Sequence, residues 1–393
     1  MQIDFDLEQI KKIVFIEAVQ DYGGARISTV ELAERLSKNH NVAIIDFYGS
    51  CKPFTDSVTK RGLELSIIDK REVPYIINTS PYLLVKIVNF VLFVPHLMGI
   101  RKKVQRLLKE IEPDYIILNN SKVLTSLAFF PNKKFKVLFF ARGWFVLSQI
   151  TKLDRLLYKN LVDKYVCVAN ATKQALFCGG LTSLENLYVV HNAISEVNLA
   201  KEVAEIEKGE NTKIVLHAGG FLKDKGQLVS LEMAKILKEK GVDFKLILAG
   251  LVYKGGESEL FYNKVIDLVQ LYNLEGFVEL VKNKPNVISY FNACDILIHP
   301  SETEGLPRVI MEAMILKKPV VANAVGGVSD YILNGFTGFL PHHNSATEYA
   351  ESVQKLIENE SIYNFIADNA YNLVKTSFTA ENQLNSLNKV FES

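Results

Sequence analysis

Short apolar, β-branched runs alternate with stretches of helical periodicity over nearly the whole chain. Residues 13–16, 42–47, 115–118, 136–140, 165–168 and 187–190 read as buried strands. The runs are continuous rather than alternating in polarity, as expected where a parallel sheet is covered on both faces. Between the first two, Ile27, Val30, Ala33 and Leu36 fall on one helical face. The series is βαβ and predicts a doubly wound sheet. Residues 201–213 interrupt it: Glu202, Glu205, Glu207, Lys208, Gly209, Glu210 and Asn211 leave little apolar content, which predicts a linker or exposed connection. A second series follows, with strands expected at 214–216, 244–249, 278–280, 296–299, 319–322 and 339–340. Two α/β domains are therefore expected, at residues 1–199 and 200–377.

Composition supports a globular chain with ample core, at 48% hydrophobic and 23% charged residues. The formal net charge of +1 gives no argument for a nucleic-acid partner. Cys51, Cys167, Cys178 and Cys294 show neither disulfide nor zinc spacing, which suits a reducing, cytoplasmic location. The first residues lack a basic region followed by an apolar one, so no signal peptide is expected.

Residues 82–100 are very apolar, but Lys86, Asn89, Pro95 and His96 interrupt them and argue against a membrane-spanning helix. Lys86, Asn89 and His96 share one helical stripe, and Arg101, Lys102, Lys103, Arg106 and Lys109 follow. Two placements stay open. The helix is buried against the sheet of its own domain and continues as a solvated basic helix, or 82–109 lies on an anionic membrane surface.

The chemistry concentrates at 300–340. Glu304 and Glu312 stand eight positions apart across a loop that leads into a helix, with Pro307 suited to a first helical position. A helix N-terminus under a Gly-containing loop offers unpaired N–H groups and a positive dipole end to an anion. An acid beside an anion site makes sense when the ligand also carries hydroxyls, as a sugar nucleotide does. A second reading pairs Glu312 with Arg308 on the helix surface.

The whole run, with Pro319-Val-Val, Gly326-Gly327, Asp330 and the turn from Asn334 to Gly338, resembles the signature of family-4 retaining glycosyltransferases of group 1. That resemblance implies the GT-B fold: two Rossmann-like doubly wound domains facing a cleft, with helix 378–393 crossing back to the first. It implies that Glu304 contacts the donor sugar and Glu312 the ribose. Gly305, Leu306 and Pro307 would form the turn under the diphosphate. Gly23 and Gly24, after the first strand, resemble the family's Gly-Gly loop, whose glycines allow positive φ and close backbone approach. The stretch from His217 to Gly226 resembles the element in which an Arg and a Lys grip the diphosphate. Lys225 matches the Lys, but Gly220 stands where the Arg belongs; either Lys223 or an arginine from elsewhere compensates, or donor affinity is low. Arg142 replaces a His that faces the donor sugar; being always protonated, it cannot act as a base. It is expected either to hydrogen-bond the sugar or hold a phosphate or acidic acceptor in the site, or to be a structural Arg at the strand end. Trp144 either stacks on an acceptor or packs. Base recognition is expected from loops near 281–287. His191 reads as structural.

The resemblance thus implies metal-independent, retaining transfer from a nucleotide diphosphate sugar to a glycan or lipid-linked acceptor in surface polysaccharide or lipopolysaccharide assembly. Neither a metal nor a cofactor is expected. Peripheral attachment to the inner face of the membrane goes with the second placement of 82–109. A non-catalytic sugar-nucleotide-binding subunit or a sugar-nucleotide epimerase on the same fold stays open. A nicotinamide dehydrogenase is disfavoured, because the first βα turn lacks Gly-x-Gly-x-x-Gly.

Overall fold

The computed structural model describes residues 9–18, 22–70, 83–131, 133–143, 150–194, 202–253, 256–284 and 287–393. Asp21, residue 82, Trp144, Lys201 and residues 285–286 lie outside these, as does the side chain of Lys86. The chain forms two compact units. One comprises Met1–Val168, Thr172–Val190 and Ser386–Ser393; the other comprises Ala169–Ala171 and His191–Asn385.

The first unit is built on a seven-stranded sheet of order β3-β2-β1-β4-β5-β6-β7, parallel throughout. Its strands are β1 (Lys12–Glu17), β2 (Asn41–Asp46), β3 (Glu64–Ile67), β4 (Tyr115–Leu118), β5 (Lys136–Ala141), β6 (Lys164–Cys167) and β7 (Leu187–Val189). Helices α1 (Gly24–Leu36), α2 (Lys52–Lys60), α3 (Leu83–Ile111), α4 (Ser121–Leu127), α5 (Lys152–Leu161) and α6 (Asn170–Cys178) connect them. On α1, Val30, Ala33 and Leu36 are buried, as the helical periodicity predicts. Near the C-terminus, Tyr115 Oη donates to Phe391 O at 2.7 Å and Lys164 Nζ to Val390 O at 2.6 Å.

Helix α3 has two faces. Phe93, Ile100, Val104 and Leu108 are buried against the domain. Val85, Val88, Val91, Leu92 and Met98 are exposed, and the exposed Lys102, Arg106 and Lys109 continue their stripe. Asn89 and His96, which share the predicted polar stripe, are half-buried, and His96 Nε2 lies 3.6 Å from Asp69 Oδ2. Among the described residues, no helix is long and apolar enough to cross a membrane.

The second unit is built on a five-stranded parallel sheet of order β10-β9-β8-β11-β12. Its strands are β8 (Lys213–Ala218), β9 (Phe244–Gly250), β10 (Val278–Lys282), β11 (Ile296–His299) and β12 (Val320–Ala322). Helices α7 (Gln227–Glu239), α8 (Glu257–Leu271), α9 (Ile288–Ala293), α10 (Arg308–Ile315), α11 (Ala346–Glu358), α12 (Glu360–Ser377) and α13 (Ala380–Glu392) complete the chain. The strand expected at 339–340 is only an isolated bridge, Val321 to Phe339. Strands β8 and β11 lie side by side, so the ends of both carry their last residues to one edge of the sheet.

Candidate active site

Strand β11 ends in His299, and the chain then runs through a loop to α10. Pro307 is the N-cap, with ψ 117°, and the helix begins at Arg308, one residue later than the sequence predicts. The Pro307 carbonyl accepts from Tyr331 Oη at 3.0 Å. The loop is clamped at several points. Glu302 N donates to Asp224 O at 2.7 Å, Asn323 Nδ2 to Ser301 O at 3.0 Å, and Gly327 N to Gly305 O at 2.6 Å. Gly326 has φ +55°, and a Cβ there would lie 1.9 Å from Glu304 O. Only glycine permits that approach.

Facing this loop is the turn between β8 and α7. Lys225 ends a short 3-10 turn (Lys223–Lys225), and Gly226 follows as the α7 N-cap in the left-handed region, φ +79°. The two segments meet in a charged cluster. Glu304 Oε1 accepts from Lys225 Nζ at 2.9 Å and from His299 Nε2 at 3.0 Å. Because an ionised carboxylate only accepts, His299 must carry its proton on Nε2. Burial would raise the Glu304 carboxyl, but the His299 hydrogen bond and charge, then those of Lys225, hold it down to about 2. Burial would likewise lower Lys225, yet Glu304 outweighs it and the ammonium is stabilised upward. Near neutral pH the pair is therefore held as the Glu304 carboxylate and the Lys225 ammonium. Oε2 of Glu304 makes no hydrogen bond among the described residues, and Lys225 keeps two of its three N–H groups.

Behind the cluster, His217 at the end of β8 is 1% exposed and bonds Ser230 Oγ through Nδ1 at 2.8 Å. Burial, then His299 and Lys225, push its imidazole down to about 3, so it is neutral. Neither histidine was singled out by the sequence. The signal available was that His217 and His299 both end buried strand runs, which in a parallel sheet means the ligand-binding edge.

Glu312 lies one turn into α10, 3.5 Å from Arg308 Nε, so the i, i+4 pairing read from the sequence is present, though not on the surface. Both side chains are mostly buried. The first turn of α10 contains no acid, leaving its positive end uncompensated by the helix itself. Leu306 is 5% exposed and is one of the buried core residues. Gly305 and Pro307 are buried as well.

The remaining candidates belong to the first unit. Gly23 caps α1 in an extended conformation, φ −99°, and neither Gly23 nor Gly24 has the positive φ that their freedom allows. A Cβ at Gly23 would meet nothing within 4 Å. Arg142 follows β5, with its guanidinium 5.1 Å from the Phe140 ring centre. Beneath α1 lies a buried ion cluster the sequence does not announce. Arg26 bonds Asp46 Oδ1 at 2.6 Å, approaches Glu17 Oε2 at 3.8 Å and stacks 3.7 Å over Phe54. Register places Glu17 beside Asp46, so the two acids need that cation, and burial raises both carboxyls. Among the described residues no group of three or more His, Cys, Asp or Glu side chains is arranged to hold a metal.

Residues 200–373 match the family described as glycosyl transferases group 1. An uncharacterized glycosyltransferase of Haemophilus influenzae is 27% identical over 91% of this chain and 94% of its own length. The capsular polysaccharide biosynthesis glycosyltransferase CapM of Staphylococcus aureus is 30% identical over 43% of each chain. Several of the curated relatives are spanned over only about half their length. The structure of HepE from Anabaena in complex with UDP-glucose superposes with a TM-score of 0.79 at 18% identity, covering 98% of this chain and all of that one. The chain has the GT-B fold, two Rossmann-like α/β domains with parallel sheets.

Proposed function

Since residues 200–373 match the glycosyl transferases group 1 model, we propose that this protein transfers a sugar from a nucleotide diphosphate sugar to a glycan or lipid-linked acceptor, with retention at the anomeric carbon. The observation that carries the reading is the Lys225–Glu304–His299 cluster set ahead of the α10 N-terminus. It presents an anion acceptor for sugar hydroxyls beside a cation and helix N–H groups for a diphosphate. Glu304 offers Oε2 to the donor sugar, and Glu312 offers a carboxylate to the ribose.

In the transfer step the bond from C1 to the diphosphate oxygen breaks, and its electron pair leaves on that oxygen. The acceptor oxygen bonds to C1 from the same face, and the acceptor proton passes to the departing diphosphate. Charge accumulates on the diphosphate as the sugar gains oxocarbenium character. Lys225 and the uncompensated start of α10 stabilise that charge without reorganising. Glu304, held near a pKa of 2, serves as an electrostatic and positioning group rather than a proton donor.

The similarity to CapM and to a lipopolysaccharide 1,2-N-acetylglucosaminetransferase of Salmonella typhimurium supports a setting in surface polysaccharide assembly on the cytoplasmic side of a membrane. The outer face of α3 fits an anionic lipid surface, with exposed valines and Leu92 followed by Lys102, Arg106 and Lys109. The glycine at 220 favours one other reading, a binding subunit that holds a sugar nucleotide without transfer. Incubation with nucleotide sugars and a panel of glycan and lipid-linked acceptors separates the two. Release of nucleoside diphosphate with formation of a glycosylated product supports transfer. Donor binding without turnover across the panel supports the binding subunit instead.

A further inference from the structure

The loop after β8 and the loop after β9 are locked together. Gly219 N donates to Ala249 O at 2.9 Å and Phe221 N to Leu251 O at 2.8 Å. Gln227 Nε2 caps the Gly220 carbonyl at 2.9 Å. From the other side Ser258 Oγ donates to Phe221 O at 2.8 Å and accepts from Tyr253 N at 3.1 Å. A Cβ at Gly250 would stand 1.8 Å from Gly219 O, so the close approach of the two loops depends on that glycine. The consequence is the position of Tyr253. A side chain begun at Gly220 would start 3.4 Å from Tyr253 Cε2 and 3.7 Å from its hydroxyl. The phenol fills the space that a longer residue at 220 would grow into.

Lys225 shares this corner. Its Cβ lies 3.9 Å from the Cβ position of Gly219, and Tyr253 is among the groups acting electrostatically on its ammonium, after Glu304 and Asp224. The Tyr253 hydroxyl therefore lies near Gly220 and within electrostatic reach of the Lys225 ammonium that Glu304 holds.

We propose that the Tyr253 hydroxyl is a diphosphate ligand of this site, donating a hydrogen bond to the donor phosphates in the place left by Gly220 and completing the grip of Lys225. The assignment rests on the glycosyl-transfer reading above. Its chemistry differs from that of a guanidinium: one neutral donor in place of a charged fork. The site then holds its anion with less positive charge and more dependence on hydrogen-bond geometry.

The test is calorimetric titration of the full chain and of Tyr253→Phe with UDP, GDP, ADP and inorganic pyrophosphate. The substitution keeps the ring and its packing and removes only the hydroxyl. The parent is expected to bind at least one nucleoside diphosphate, and the variant to bind that ligand and pyrophosphate about tenfold more weakly, with the ligand-free melting temperature nearly unchanged. Binding by the variant within about twofold of the parent overturns the Tyr253 assignment alone. A parent that binds none of the nucleoside diphosphates overturns the transfer reading, and this assignment with it.

Discussion

Lys225 donates a 2.9 Å hydrogen bond to Glu304 across 79 residues of chain, closing the turn after β8 onto the loop after β11. That bond joins the two segments that carry the proposed donor chemistry. It also fixes which oxygen of Glu304 is engaged and which is left for a ligand.

Replacing Glu304 by Gln keeps its volume and removes its charge. Transfer is expected to fall by at least about 100-fold, with the fold retained by circular dichroism; near-parental rates would remove Glu304 from the site. The acid response should change too. Glu304 is held down to about 2 from an ordinary 4.5, so its stabilising contribution is complete above about pH 4.5 and is lost as pH falls toward 2. That contribution is on the order of 3 kcal/mol. His217 adds in the same direction: pushed down from 6.5 to about 3, it resists the proton that the unfolded chain binds, so stability declines as pH falls from 6.5 to 3. Melting temperatures measured from pH 7 to pH 3 should fall less steeply in Glu304→Gln and in His217→Asn than in the parent.

His299 acts through Glu304, because its Nε2 donates to the oxygen that Lys225 also holds. His299→Ala is expected to raise the Glu304 carboxyl and move the acid limb of the rate profile upward. His299→Gln, which can place an N–H near Nε2, should restore much of the parental profile. Equal profiles for parent and Ala variant would leave His299 a packing residue.

Much of the architecture is legible in the sequence, and the reasons for the gaps are local. The runs at 115–118 and 296–299 coincide with β4 and β11 because strands buried on both faces leave continuous apolar stretches. Strand β3, Glu64–Ile67, went unread because an edge strand of four residues with a Glu and a Ser has no such run. The apolar neighbourhood of Phe339 predicts a strand, but Phe339 bridges β12 at a single residue. Within the site, Glu304 and Lys225 stand out through their motifs. The partnership of His217, Ser230 and His299 does not, because only the adjacency of β8 and β11 brings them together. Tyr253 is likewise invisible, since its place over Gly220 comes from loop packing rather than from spacing.

Gly226 carries the backbone between Lys225 and α7. Its φ is +79°, and a Cβ there would stand 2.0 Å from Pro300 O. Gly226→Ala should therefore destabilise the protein by about 3 kcal/mol, combining left-handed strain with a backbone clash. Urea unfolding measures this; a change below about 0.5 kcal/mol would show that the turn relaxes freely.

The exposed stripe of α3 gives the membrane reading its test. Val88 is 56% exposed and Leu92 61%, so charging both should cost little fold stability. Vesicles of phosphatidylcholine and phosphatidylglycerol should sediment the parent at low salt, and Val88→Asp with Leu92→Asp should abolish this. A parent that stays in the supernatant ends the membrane proposal without touching the transfer chemistry.

The most direct measurement follows the anomeric carbon itself. The full chain is incubated with the nucleotide sugar it binds and an acceptor from the panel, and the product linkage is read by proton NMR. The expected product carries the donor's anomeric configuration, forms with stoichiometric release of nucleoside diphosphate, and fails to form with Glu304→Gln. A product of inverted configuration, or one formed equally well by Glu304→Gln, would contradict the role assigned to the Lys225–Glu304–His299 cluster.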